Sequence, residues 1–252
     1  MKRVGFTLLA IGILLMTLAD TSSARVRKKT PLNWGVVVGY NLSNATGSWT
    51  DVDNYTRKWD TGLMAGITGA INLTNNFAIH SELLFGRRGY RLIGDDGQAV
   101  REFNPYMYYV EVPVFLEWDM MPKEYVRPHL FAGPSFGTLT GSGVGIDIPG
   151  KKNTGSREIT NVNGVDLSFV AGIRMSFPAG RERGYLELRY LHGIRSFLGE
   201  EDYHKLFISD DFEAITLGGP GEPSARHQVI TLAMGFMLDF NVKKPEPVRT
   251  VD

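Results

Sequence analysis

Cysteine is absent from the 252 residues, which excludes a disulfide scaffold and every Cys-based metal or nucleophile site. Net charge is absent as well. The 27 basic side chains are matched by 27 acidic ones, so bulk electrostatics gives no reason to expect nucleic acid or an acidic partner. Beyond residue 24 no apolar run reaches the roughly 20 residues that a spanning helix needs. Histidine is sparse: His80, His129, His192, His204 and His227 are the full set. What the chain does have is glycine, 29 residues, and aromatic side chains, 11%. That pair suits a β-rich chain with tight turns and aromatic rings at interfaces.

The N-terminus reads as an address. Lys2 and Arg3 form a positive start, Val4 to Leu18 is uncharged and apolar, and Ser22-Ser23-Ala24 supplies small residues for a cut. This is the pattern of a secretory signal peptide over residues 1–24, cleaved after Ala24. The mature chain is therefore expected outside the cytoplasm, in the outer membrane on the reading that follows.

After Pro31 the sequence alternates with period 2, as strands with two different faces do. Along Gln228 to Phe240, the residues Ile230, Leu232, Met234, Phe236, Leu238 and Phe240 share one face. Behind them are mostly small or polar residues, among them Thr231, Ala233, Gly235 and Asp239. Val165 to Phe177, Leu63 to Leu73, Phe77 to Phe85 and Val110 to Trp118 repeat the pattern. The expected strands are 34–43, 61–73, 77–91, 106–118, 126–140, 164–177, 185–197 and 227–240. Many exceed the mode of about 5–6 residues for globular strands. They match the roughly 9–11 residues that a tilted strand needs to cross a bilayer. Short connections (Thr74 to Asn76, Asp119 to Tyr125, Pro178 to Gly184) alternate with long ones (44–60, 92–105, 141–163, 198–226). An even strand count with that alternation predicts an all-β fold, an eight-stranded antiparallel up-and-down transmembrane β-barrel. Short turns then face the periplasm and long loops face outward. Closure is required, because an unpaired backbone group costs several kcal/mol in hydrocarbon.

The face opposite the apolar stripes carries Glu82, Arg88, Glu111, Glu117, Asp166, Arg174, Glu187, Arg189 and Arg195, with His80 and Asp239. Buried charge is tolerated when it is paired and hydrogen-bonded. These residues are therefore expected to form a structural charge network filling a lumen that eight strands leave just wide enough for side chains. Aromatics sort to two levels. Trp34, Trp118, Phe177, Tyr185 and Phe240 fall at the periplasmic end, and Tyr40, Trp59, Tyr90, Tyr106 and Phe197 at the outer end. Two such belts mark membrane interfaces.

Three segments carry a family resemblance: YYVEVPVFLEW (Tyr108–Trp118), RPHLFAGPSFG (Arg127–Gly137) and GYLELRYLHGI (Gly184–Ile194), followed by ITLAMGFMLDF at the end. In this order, behind a signal peptide, the chain resembles the PorT-like outer-membrane β-barrel family over residues 32–241. That family is named after a component of a protein-secretion system, and most members carry no known activity. The resemblance implies the barrel and leaves the activity open. Residues 242–252, with Pro245 and Pro247, read as a short periplasmic tail.

Candidate chemistry is thin. His192 falls on the outward face near the outer strand end, where a lipid-modifying enzyme would place a base. Its nearest same-face serine, Ser196, lies about 13 Å away along an extended strand at roughly 3.3 Å per residue, beyond the reach that a nucleophile needs. The acidic run Glu200, Glu201, Asp202, Asp210, Asp211 and Glu213 offers oxygen ligands for a hard cation, and a solvated loop is the plainer reading. The glycines from Gly141 to Gly145 precede no helix and read as a loop. The expected function is a structural or interaction barrel, with no enzyme activity and no cofactor. It would sit in outer-membrane lipid, and its outer loops would contact a protein or glycan partner. Small-solute transport, lipid modification and a part in protein secretion remain the alternatives.

Overall fold

The structure is a computed structural model that describes residues 32–47, 55–94, 102–148, 151–157, 163–179, 182–197 and 225–239. All lie in one compact unit, Pro31–Asp252. The expected signal peptide, the tail 242–252 and the acidic loop 200–213 fall outside the described residues. Nine strands occur among the described residues: β1 Leu32–Thr46, β2 Tyr55–Asn72, β3 Phe77–Gly94, β4 Glu102–Asp119, β5 Arg127–Ile148, β6 Lys151–Arg157, β7 Val165–Ala179, β8 Glu182–Gly193 and β9 Arg226–Asp239.

Eight of them close into a ring. Each of β1 to β4 pairs antiparallel with its sequence neighbour, β4 pairs with β5, β5 with β7, β7 with β8, β8 with β9, and β9 with β1. The closing ladder runs from Asn33 opposite Asp239 to Thr46 opposite Arg226. Strand β6 lies outside the ring and pairs only with the far end of β5, where Ile148 opposes Lys151. The fold is thus an eight-stranded antiparallel barrel with one extra hairpin strand.

Alternation along each strand sets the two faces. On β9, Leu232 and Met234 are 62% and 58% exposed, whereas Thr231 and Ala233 are buried at 2% each. On β7 the exposed Phe169, Ile173 and Met175 alternate with the buried Ser168, Arg174 and Ser176. The outward stripe of β3 runs Phe77, Ile79, Leu83 and Phe85, and on β4 it runs from Val110 to Trp118. Each stripe spans the roughly 9–11 residues that cross hydrocarbon.

The strands of the outer half run further than their apolar periodicity indicates. Strand β2 begins at Tyr55, β4 at Glu102, and β5 continues to Ile148. These extensions pair with one another, as Glu102 does with Asp147. Above the apolar belt the ladder hydrogen bonds persist without any need for an apolar face, so hydropathy under-reads the strand. Strand β6, which sequence reading leaves inside a loop, is the return of that extended hairpin. Strand β8 ends at Gly193, short of the expected residue 197.

Between Trp59 and Met64 the β2–β3 ladder slips by one residue. Backbone groups of β3 left without β2 partners there are met from β1. Asn41 Nδ2 donates to the Arg87 carbonyl at 3.3 Å, and the Gly89 N–H donates to Ser43 Oγ at 2.8 Å. A bulge whose backbone groups are shut off from water needs such substitutes.

The aromatic levels need one correction. Tyr90, Tyr185 and Phe197 sit at the expected heights, yet all three are buried inside. Parity decides this: Tyr185 shares its face with Glu187 and Arg189, and Tyr90 shares its face with Arg88. Trp34, Tyr40, Trp59 and Trp118 are exposed, and Tyr106 is half-buried. Phe240 and the side chain of Asp239 lie outside the described residues.

Candidate functional site

The lumen holds two layers of buried charge, both built by bonds that cross the barrel. In the inner layer Arg174 of β7 is the hub. Its Nε and Nη2 donate to Glu187 Oε2 of β8 at 2.8 and 2.6 Å, and its Nη1 donates to Glu117 Oε2 of β4 at 2.6 Å. Its Nη2 also lies 3.5 Å from Glu82 Oε1 of β3. Arg189 of β8 donates from Nη1 to Glu82 Oε2 at 2.9 Å and pairs with Glu187 beside it. Three strands of the ring, β9, β1 and β2, separate β8 from β3. The Arg189–Glu82 bond is therefore a strut across the interior.

Two histidines complete this layer. His80 Nε2 lies 3.3 Å from Glu117 Oε1, and its Nδ1 lies 3.2 Å from Arg174 Nη1. A neutral ring with its proton on Nε2 satisfies both contacts, donating to the carboxylate and accepting from the guanidinium. His129 Nδ1 lies 3.1 Å from the same Glu117 oxygen, and its Nε2 meets Ser176 Oγ at 2.8 Å. Aromatic faces enclose the hub: the Arg174 guanidinium lies 4.4 Å from the Tyr185 ring centroid and 5.4 Å from that of Phe131. Cation–aromatic contacts of this kind are worth more when desolvated than at an exposed site.

The second layer lies nearer the outer end. Arg88 Nη1 of β3 donates to Asp166 Oδ2 of β7 at 2.8 Å, and Arg88 also pairs with Glu111 of β4. Ser168 Oγ donates to Asp166 Oδ2 at 2.7 Å. The Arg88 guanidinium sits 5.3 Å from the Tyr109 ring centroid. Above it Tyr109 OH meets Nε2 of the fully buried His227 at 3.2 Å, and Phe197 stacks on that imidazole at 4.3 Å.

Of the nine network residues expected from sequence, the structure brings eight into these layers: Glu82, Glu117, Arg174, Glu187 and Arg189 in one, Arg88, Glu111 and Asp166 in the other. Arg195 is a correction. It lies past the end of β8 and is exposed. The chain turns there, with the N–H groups of Ile194 and Arg195 both directed at the Leu167 carbonyl at 2.7 and 3.3 Å. Period-2 parity stops where the strand stops. Sequence reading passed over His129, Tyr109 and His227 as interior groups. The signal was present, since the exposed Leu130 and Phe136 turn His129 inward.

His192 faces outward, half-buried, with its ring stacked on Tyr190 at 6.4 Å. Ser196 Oγ accepts the Ala225 N–H at 3.2 Å at the outer rim, so its hydroxyl is engaged in tying a loop base.

Comparison with known proteins agrees with this architecture. The model of the outer membrane protein β-barrel domain family matches residues 19–199. No curated protein matches the chain. Among solved structures, OprG of Pseudomonas aeruginosa is similar at 8% identity and a TM-score of 0.46, covering 84% of this chain and 97% of its own. Ail, the attachment invasion locus protein of Yersinia pestis, is similar at 14% identity and a TM-score of 0.39, covering 82% and 98%. Neisserial surface protein A is similar at 12% identity and a TM-score of 0.36, covering 80% and 95%. With a closed antiparallel ring, an apolar outer wall and a family match over most of its length, the chain belongs to the outer membrane protein β-barrel domain family and its place is the outer membrane.

Proposed function

We propose that this barrel is a structural and interaction protein: a plugged anchor whose outer connections engage a protein or a surface glycan. The observation that carries this reading is the transverse pairing in the lumen. Struts such as Arg189–Glu82 and Arg88–Asp166 join opposite walls at two heights and occupy the bore of an eight-stranded barrel. A filled bore leaves the outer rim as the surface that can act. The long connections there carry Trp49 in the first and Tyr203 and Phe207 beside acidic residues in the last. Aromatics next to polar groups are common in binding surfaces. The finer PorT-like membership rests on the three ordered motifs at Tyr108–Trp118, Arg127–Gly137 and Gly184–Ile194. Removal of residues 1–24 as a signal peptide belongs to the same proposal, as does the periplasmic placement of 242–252.

Two variants test the anchor. Deletion within residues 200–222 should abolish cross-linking of the barrel to cell-surface components and leave its folded migration on gels unchanged. Joint neutralisation, Glu187→Gln with Arg189→Gln, should leave that cross-linking intact. The wild-type protein in planar bilayers should show no steady ionic current. Steady current through wild type, or loss of surface cross-linking in the lumen variant alone, moves the function to the lumen and ends the anchor reading.

A further inference from the structure

We propose that the outer wall between β1 and β4 carries a specific site for one acylated anionic phosphate, a lipid of the outer leaflet whose chain lies in an apolar groove and whose headgroup meets Arg87. The groove is a depression of about 840 Å³ on the lipid-facing side, walled by Val38, Tyr40, Leu63, Phe85 and Leu232, with Arg87 in its lining. Its floor is backbone and the small outward side chain of Ala65, since Gly39 and Gly62 would direct a Cβ away from the groove. Exposed apolar walls are ordinary on a barrel in lipid. The guanidinium at the end of this one adds a charge at the level of headgroups.

Position along the strand sets the height of that guanidinium. The outward residues of β3 read Phe77, Ile79, Ser81, Leu83, Phe85, Arg87, Gly89 and Arg91. Arg87 is therefore the first outward residue past the apolar stripe, at the boundary where headgroups begin. The neighbouring strand gives the same height, since Arg87 opposes Tyr108, and Val110 to Trp118 run inward from there along the membrane. Tyr40 on β1 marks the level on the other side of the groove.

Charge at this boundary is arranged for an anion. Lys58 of β2 and Arg91 of β3 are direct cross-strand partners. Like charges placed opposite each other are destabilising unless something between them is negative. Arg87 projects from the same face. Two carboxylates share the patch. Asp60 Oδ2 lies 3.0 Å from Arg87 Nη2 and its Oδ1 lies 3.8 Å from Arg91 Nε, and Glu102 Oε1 lies 3.7 Å from Arg91 Nη1. Beside the groove Arg87, Arg91 and Lys58 face Asp60 alone, while Glu102 and its cross-strand partner Asp147 lie further out along the strands. Asp60, only 5% exposed, fixes the Arg87 fork from below, and the Tyr106 ring supports it at 4.8 Å. The Nε–H of Arg87 remains buried with no hydrogen-bond partner among the described residues. The Arg87 side chain is 31% exposed, so the outer edge of this oriented guanidinium, and not its enclosed Nε–H, can meet a phosphate oxygen at headgroup height. The apolar groove directly below it is suited to the acyl chain.

Native mass spectrometry of the full-length protein, folded in detergent and exposed to defined lipids, tests the site. Wild type should retain phosphatidylglycerol about tenfold more tightly than phosphatidylcholine, the scale of one charge-assisted contact. Arg87→Gln with Arg91→Gln should erase that preference. Ala65→Trp, an apolar change on the lipid-facing wall, should fill the groove and reduce retention while both arginines stay in place. Heat-modifiable gel migration reports folding of each variant. Equal retention of the two lipids by wild type, or undiminished phosphatidylglycerol on the folded double variant, overturns the proposal. So does displacement of phosphatidylglycerol by inorganic phosphate at equal concentration, which would make Arg87 a plain anion site without a lipid groove.

Discussion

A single guanidinium shows what buried charge does in this protein. Arg174 meets Glu187, Glu117 and Glu82 and lies against Tyr185 and Phe131. Removing it leaves Glu117 with no guanidinium and Glu82 and Glu187 sharing Arg189 alone, and breaking a buried pair in that way costs about 3–5 kcal/mol. Arg174→Met should therefore lower unfolding stability by that amount in urea titrations of the barrel in vesicles. Adding Glu117→Gln should recover part of the loss, because one uncompensated charge is then gone. A loss under about 1 kcal/mol, the size typical of exposed pairs, would mean that water reaches this layer freely. Parity alone was enough to turn Arg174, Glu187 and Glu82 inward. It could not say that Arg189 reaches Glu82, because that contact joins strands whose distance apart is set only by ring closure.

At the level of the strand, β9 offers the sharpest contrast, since adjacent residues meet different solvents. Met234 is 58% exposed toward lipid, and Met234→Arg should cost about 2–4 kcal/mol near mid-membrane. Ala233, one residue away, packs inside with Val37, Met64, Leu84 and Tyr185. Ala233→Arg should instead fail through crowding, and a smaller residue at Met64 should partly relieve it. Reversible folding titrations in thin bilayers distinguish the two, and rescue of Met234→Arg by the Met64 change would contradict the facing assignment. Gly235 has a different role on the same strand. A Cβ there would lie 2.2 Å from Cζ of Tyr185, so the absent side chain is what lets that ring lie against β9 and cover Arg174. Gly235→Val should displace the ring and cost about 1–3 kcal/mol by overpacking, read as a lower temperature for loss of folded gel migration. An unchanged temperature would show that the ring has another place to go.

For the molecule as a whole, the expected behaviour is that of a closed ring in lipid. The protein should fractionate with outer membranes and migrate differently on gels before and after boiling. Recovery in the soluble periplasm would reject the transmembrane reading. N-terminal sequencing of the mature protein should begin at Arg25, and a mature chain that begins at Met1 would reject cleavage after Ala24. The same ring explains why β6 carries no share of closure: β5 passes it by to pair with β7 from Arg127 opposite Ser176 to Thr138 opposite Val165.

The amino-acid sequence by itself determined the local alternatives: strand over helix, lipid face over lumen face, short turn over long connection. These follow from period-2 patterning, and patterning is a property of neighbours in the chain. Leu232 and Thr231 could be assigned to opposite faces from sequence alone, and the structure puts them there. Only the tertiary structure decided what depends on distant segments meeting. It ended β8 at Gly193 and left Arg195 outside, continued β5 into a hairpin with β6, and let β1 side chains complete the slipped β2–β3 ladder. It also turned Tyr90, Tyr185 and Phe197 from belt residues into interior ones. The physical reason is common to all of these. A hydropathy pattern reports which solvent a residue prefers, whereas bulges, ladder ends and struts are set by backbone hydrogen bonds and by the diameter at which eight strands close.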